Sequence, residues 1–235
     1  MVKEKVTLLK NTKLMSSNQE QISKFFSRKR INIDIGFRCT LECPKCERQN
    51  SYKDIRPVPG RDMTIPEWHK ITDYFDEIQC CGQISDPIFN PYFIDFIKIA
   101  KEKNKYLLIH TAASHKPVKW YNEAFDNMGK GEWIFGIDGL PEESHIHRVN
   151  QDGQKVFEMA KLCASKGIRT RWQYIIFKYN ETHIEQARKM AEDNGIEFEI
   201  SISARFDGPD DPLRPDNPKF YFDSKQFALM GKLNV

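Results

Sequence analysis

A chain of 235 residues with 40% hydrophobic and 29% charged residues can bury a real core, as one large domain or two small ones. The net charge of +3 is too weak to argue for nucleic acid, and no run of about 18 apolar residues offers a membrane span. The polar, lysine-rich N-terminal stretch lacks the apolar core of a secretory signal, so a cytoplasmic protein is expected, with its six cysteines as thiols rather than a disulfide framework.

Residues 1–30 read as an N-terminal extension, with Arg28-Lys29-Arg30 as a solvated flank. A strand is expected over Ile31–Arg38, followed at once by Cys39, Cys43 and Cys46 in a Cys-x3-Cys-x2-Cys loop. A helix over Ile65–Glu77 starts at Thr64, with Pro66 in its first turn and Glu67 placed for a capping box. Strand Ile78–Gly82 comes next. A helix over Asn90–Asn104 carries Phe93, Phe96, Ile97 and Ala100 on one face. Strand Tyr106–Thr111, helix Val118–Met128 and strand Trp133–Asp138 follow. Helix Gln154–Ser165 stops at Gly167, and helix Glu181–Asn194, with Asn180 as its N-cap, stops at Gly195. Strands Thr170–Lys178 and Glu197–Ser203 flank that last helix.

Six strand–helix units with short, mostly apolar strands predict an α/β fold, a partial (β/α)6 TIM-like barrel with parallel strands over residues 31–205. A doubly wound sheet is the alternative. Either way the loops after the strand C-termini form the active face, and the cysteine loop is one of them. Residues 206–235 contain DGPDDPLRPDNP, too rich in proline for a helix or central strand. They are expected as an extended, loosely docked segment anchored near Phe220–Phe222, or as a disordered tail.

Three thiols on one tight loop admit several chemistries. A structural zinc wants a fourth ligand, and His69, on a helix some twenty residues on, is a poor source. A redox pair needs only Cys43 and Cys46. A four-iron cluster held by three cysteines uses all three and leaves one iron open.

The stretch RCTLECPKC resembles the signature loop of the radical S-adenosylmethionine (SAM) enzymes, and further segments agree with that family in order from Ile31 to Arg205. The resemblance implies that Cys39, Cys43 and Cys46 bind a [4Fe-4S] cluster whose open iron takes the amino and carboxylate groups of SAM. One electron then cleaves a carbon–sulfur bond, and a 5′-deoxyadenosyl radical removes a hydrogen atom from substrate. CGQISDPIFNP, residues 81–91, is similar to the Gly-Gly-Glu-Pro motif: Asp86 takes the acidic place facing the SAM ammonium, Pro87 the proline, and Ser85 stands where glycine is usual. HTAASHKP resembles a Thr-Asn-Gly turn through Thr111, with Ser114 or His115 as a further ribose contact. WIFGIDGLPEESHIHRVN is similar to the Ser-Ile-Asp-Gly strand end. Gly136 replaces the serine, Asp138 and Gly139 keep the turn, and Arg148 matches an arginine that reaches the SAM carboxylate. On the fifth strand Gln173 and Tyr174 are expected to face the interior, and Trp172 only in the opposite register.

Lys45 occupies a place that is often aromatic and stacks on adenine in relatives, which leaves that contact to Phe37 or the lysine stem. No cysteine follows Cys163, so no auxiliary-cluster extension is expected. Cys80 and Cys163 read as core residues, and Cys81 as one that approaches the site. The implied partners are a flavodoxin- or ferredoxin-like electron donor and a substrate that is a peptide or protein side chain or a small metabolite. No general acid or base stands out. The rival reading is a non-catalytic barrel, zinc-bound or with a degenerate cluster, that binds a partner.

Overall fold

A computed structural model describes residues 29–221; the segment 1–28 and the stretch beginning at Phe222 lie outside the described residues. In chain order the elements are β1 (Arg30–Ile33), α1 (Glu47–Lys53), α2 (Ile65–Tyr74), β2 (Glu77–Cys80), α3 (Phe93–Glu102) and β3 (Tyr106–Thr111). Then come α4 (Val118–Asp126), β4 (Gly131–Gly136), α5 (Gly153–Ser165), β5 (Arg169–Ile175), α6 (Ile184–Glu192) and β6 (Glu197–Ser201).

The six strands form one sheet in the order β1-β2-β3-β4-β5-β6, and every neighbouring pair is parallel. A doubly wound sheet reverses its strand order at a switch point; this one does not, so the sheet winds in a single sense, as in a barrel. Among the described residues β6 does not pair with β1, and the barrel stays open along that seam.

Alternation along each strand divides the side chains between helices and lumen. Trp133 and Phe135 of β4 and Trp172 and Tyr174 of β5 are buried on the helix side. They pack with Phe125 and Phe157, the Phe125–Trp133 rings meeting edge to face at 5.0 Å. Gln173 faces the lumen. The expectation that Tyr174 does so too is therefore corrected, because adjacent strand residues point to opposite faces. Tyr174 instead donates its hydroxyl to the Asn180 carbonyl at 2.7 Å. Indole N–H groups are matched where the core permits: Trp68 donates to Phe96 O at 3.0 Å and Trp172 to Ile137 O at 2.8 Å. Each such fully buried side chain contributes roughly 1.5–3 kcal/mol of transfer free energy. Cys80 and Cys163 belong to this core, as expected. The deep lumen is ionic rather than aliphatic: Arg171 bridges the buried Glu132 and, at 2.6 Å, Glu199.

Several boundaries move. β1 ends at Ile33 rather than Arg38, because the chain turns away to begin the cysteine loop. The capping box at Thr64 is present, with Thr64 N–H donating to Glu67 at 2.9 Å, but α2 ends at Tyr74 because Glu77 already pairs in β2. Helix α1, directly after Cys46, was not expected. α6 starts at Ile184 with His183 as N-cap, so Asn180 is not its cap. Asn180 is buried and closes the turn after β5, accepting from Phe177 N–H at 2.7 Å and donating to Ile175 O at 3.0 Å.

Residues 206–221 are docked rather than a tail. Lys178 N–H donates to Leu213 O at 3.0 Å, Glu181 accepts from Asn217 N–H at 3.1 Å, and Ser203 bridges to Tyr221. Phe220 packs against the core; Phe222, the other end of the expected anchor, is outside the described residues.

Candidate functional site

At the C-terminal ends of the strands lies a cavity of about 460 Å³ lined by Cys39, Cys43 and Cys46. The cysteine loop is short and self-braced: Cys46 N–H donates to Cys43 O at 3.0 Å, and Cys46 caps α1 with its carbonyl accepting from Gln49 and Asn50. Three contacts from later loops hold it in place. Asp86 N–H reaches Arg38 O at 2.9 Å, Glu42 N–H reaches Val149 O at 3.1 Å, and Asn150 donates to Thr40 O at 3.3 Å. The loops after β2 and β4 thus fix the thiols against the residues that face them.

Burial pushes the Cys39 thiol up to about 12 and the Cys43 thiol up to about 11, with the Asp86 charge adding to the first and Arg148 opposing the second. A buried thiol shifted in this direction is a poor free thiolate nucleophile. A metal replaces the thiol protons on binding. Three thiols on one short loop facing one cavity are the donor set that a four-iron cluster with one open iron would use.

Ser85, Asp86, Thr111, Arg148 and Gln173 line the same cavity. Asp86, 5% exposed, ties the end of β2 to the end of β3. Its carboxylate accepts from the Thr111 hydroxyl at 3.0 Å and from Ala112 and Ala113 N–H at 2.9 and 3.1 Å. Burial pushes this carboxyl up, and those same donors pull it back in part. Pro87 sits behind the wall in a buried turn. Ser85 donates to Asp34 at 2.8 Å, and the tight approach that glycine would serve there falls instead to Gly82, where any Cβ would lie 1.5 Å from Ser85 O.

Asp138 does not reach the cavity; it is fully buried behind Arg148 and His147. Its carboxylate lies 2.9 Å from Arg148 Nε and 2.8 Å from His147 Nδ1, and accepts from Ile175 N–H at 3.0 Å. Burial alone would raise its pKa, but the Arg148 charge, the His147 contact and Ile175 N–H outweigh that and hold the group below the usual carboxylate range. Gly139 turns the chain at a φ of +109° that favours glycine. The missing serine at 136 has a steric reason: a Cβ there would meet Arg148 Nη2 at 2.6 Å.

Ser114 and His115 stay out of the cavity. Ser114 accepts from Asp152 N–H at 3.0 Å, and His115 stacks on Phe89 at 4.1 Å beside Thr40. Phe37 is also absent from the lining, where Leu41, Ile134, Ile175 and Phe177 supply the apolar wall; Cys81 lines it as expected. On the floor, His110 is held neutral, its pKa lowered to about 4 by burial and then by Arg171. The sequence reading missed His110, His147, Phe177 and the Ser201–Arg205 wall. Strand alternation carried the signal for His110, at the end of β3's run.

Lys45 borders the cavity, and its ammonium pairs with Asp207 at 2.7 Å and with Asp211. Lys45 follows β1 and both aspartates follow β6, so this contact spans the open seam. The Asp211 side chain is fully buried. Lys45→Ala should lower stability by about 1–3 kcal/mol by leaving Asp211 without its cation. It should also expose residues 206–221 to faster limited proteolysis, with Lys45→Arg protected like the parent chain.

No family model matches the chain, and no curated protein matches it. Solved structures do match. SuiB of Streptococcus suis superposes with a TM-score of 0.62 at 13% identity, over 88% of this chain and 45% of SuiB. SuiB bound to S-adenosylmethionine gives 0.61 at 12% identity, over 95% and 51%. anSMEcpe with bound AdoMet and a Cp18Cys peptide gives 0.57 at 14% identity, over 78% and 54%. These are radical SAM enzymes, and the chain has their fold, a six-stranded partial barrel. It spans about half the length of the structures it matches.

Proposed function

We propose that the protein is a radical SAM enzyme. The observation that carries this reading is the shared cavity: three cysteines of one loop face Asp86 and Arg148 from later strand ends of a radical SAM fold. Cys39, Cys43 and Cys46 would hold a single [4Fe-4S] cluster. When bound and reduced, that cluster supplies the electron that splits SAM and yields the 5′-deoxyadenosyl radical for hydrogen-atom abstraction.

The chain's own part is placement. Arg148, aimed by Asp138, offers its remaining N–H groups to the SAM carboxylate, for which an arginine fork suits. Asp86 presents negative charge toward the ammonium; the Thr111 hydroxyl and the Ala112 and Ala113 N–H groups hold it there, and Ser85 and Pro87 flank it in the chain. Gln173 lies on the lumen side, within reach of the nucleoside end or the substrate. A peptide or protein side chain is the favoured substrate class, supported by the peptide complexes of SuiB with SuiA and of anSMEcpe; a small metabolite is next. The reductant is a flavodoxin- or ferredoxin-like donor. No helix among the described residues is long and apolar enough to cross a membrane, and a cytoplasmic site of action fits this chemistry.

The test is anaerobic expression, iron and sulfide analysis after reconstitution, and reduction with SAM. Formation of 5′-deoxyadenosine is expected. Tightly bound zinc, no iron after reconstitution and no SAM cleavage would overturn the reading in favour of a partner-binding zinc barrel.

A further inference from the structure

His147 is 6% exposed and lines the cavity, yet its Nε2 is buried without a hydrogen-bond partner among the described residues. Buried polar atoms are rarely left so, and an orphan at a cavity wall points to a ligand. Its neighbours decide what that ligand must bring. Nδ1 lies 2.8 Å from Asp138, and an ionised carboxylate only accepts, so Nδ1 carries the proton. In that tautomer Nε2 is left as the acceptor nitrogen. The orientation is fixed twice: Asp138 holds one edge, and the Phe177 ring lies over the imidazole at 4.2 Å between centroids. Arg148, next in sequence, shares the same Asp138 anchor and lines the same cavity. Thus one buried carboxylate aims a donor fork and an acceptor side by side.

We infer that His147 Nε2 accepts a hydrogen bond from an N–H or O–H donor of SAM, making His147 a binding residue beside Arg148. This rests on the functional reading above. SAM offers three such donors: its ammonium, its ribose hydroxyls and its adenine amino group. Asp86 already faces the ammonium in that reading, and the ribose hydroxyls and adenine amino group are the donors left without a named acceptor; one of these is the donor to His147.

Two substitutions separate the ring's two nitrogens. His147→Asn keeps an N–H near the Nδ1 position, facing Asp138, and removes the cavity acceptor. His147→Gln places an amide oxygen near the Nε2 position. Both lose the stack on Phe177, so their difference isolates Nε2. Affinities for SAM, methylthioadenosine and methionine are measured by anaerobic calorimetry on reconstituted protein. His147→Asn should weaken SAM and methylthioadenosine about tenfold, the equivalent of about 1.4 kcal/mol, and leave methionine unchanged. His147→Gln should stay within about threefold of the parent. Selective loss of methionine binding would keep the acceptor role and move its donor to the ammonium. Parent-like affinities of His147→Asn for all three ligands would overturn the inference while leaving the functional reading intact. A parent protein that binds no SAM would overturn both.

Discussion

Cys43→Ala should reduce 5′-deoxyadenosine formation by at least about a thousandfold, a barrier change of about 4 kcal/mol. Cys39→Ala and Cys46→Ala should do the same. The three thiols line one cavity and sit on a loop braced mainly by backbone hydrogen bonds, with Cys39 Sγ also accepting from Leu41 N–H at 3.4 Å. Losing one sulfur therefore removes a ligand without removing the scaffold, and circular dichroism should remain that of the parent. Iron and sulfide content after reconstitution should fall in parallel. The control is Cys163→Ala: that thiol is fully buried in the core, so its loss should lower thermal stability and leave iron content unchanged. A Cys43→Ala protein that retained iron and SAM cleavage would refute the ligand assignment.

Asp138→Asn should have the largest effect away from the cysteines. The carboxylate is fully buried and neutralises Arg148, whose side chain is only 13% exposed. Asparagine is nearly isosteric but uncharged, and it leaves Arg148 without a counterion. Breaking a buried pair in this way costs about 3–5 kcal/mol. SAM affinity should fall too, because His147 and Arg148 lose their common anchor. The pH dependence follows from the direction of the shift. A carboxyl whose folded pKa is depressed stabilises the fold fully above the ordinary value of about 3.9, and loses that contribution as pH falls below it. Chemical denaturation from pH 7 downward should show an acid limb below about pH 4 in the parent that is shallower in Asp138→Asn. An identical limb in both proteins would show that Asp138 does not carry it.

Some of this site was legible residue by residue. Cys39, Cys43 and Cys46 announce themselves by spacing, and Asp86 and Arg148 by motif; all five come to one cavity. Pro87 and Asp138 were found by the same motifs but stand behind the wall, since a motif reports which residues recur together and not which of them touch the ligand. Ser114 and His115 follow the right strand yet face elsewhere, because the turn after β3 directs Ala112 and Ala113 N–H to Asp86. Tyr174 was misplaced by ignoring the two-residue period, and Asn180 by reading a turn residue as a cap.

What the sequence by itself determined is the six strands, the five helices from Ile65 onward, the parallel α/β class and the cysteine-bearing loop. These depend on short-range properties: apolar period, capping residues, glycine stops and the spacing of three thiols. Tertiary structure decided between the sequential partial barrel and the doubly wound alternative, in favour of the barrel, with no β1–β6 pairing among the described residues. It alone decided that Lys45 crosses the β1–β6 seam to Asp207 and Asp211, 162 and 166 residues further along the chain. It also decided that Asp138 aims His147 and Arg148 together. Such pairings depend on which strand ends and loops are brought side by side. Local pattern does not encode that juxtaposition, because long-range charge partners leave no periodic trace in the chain.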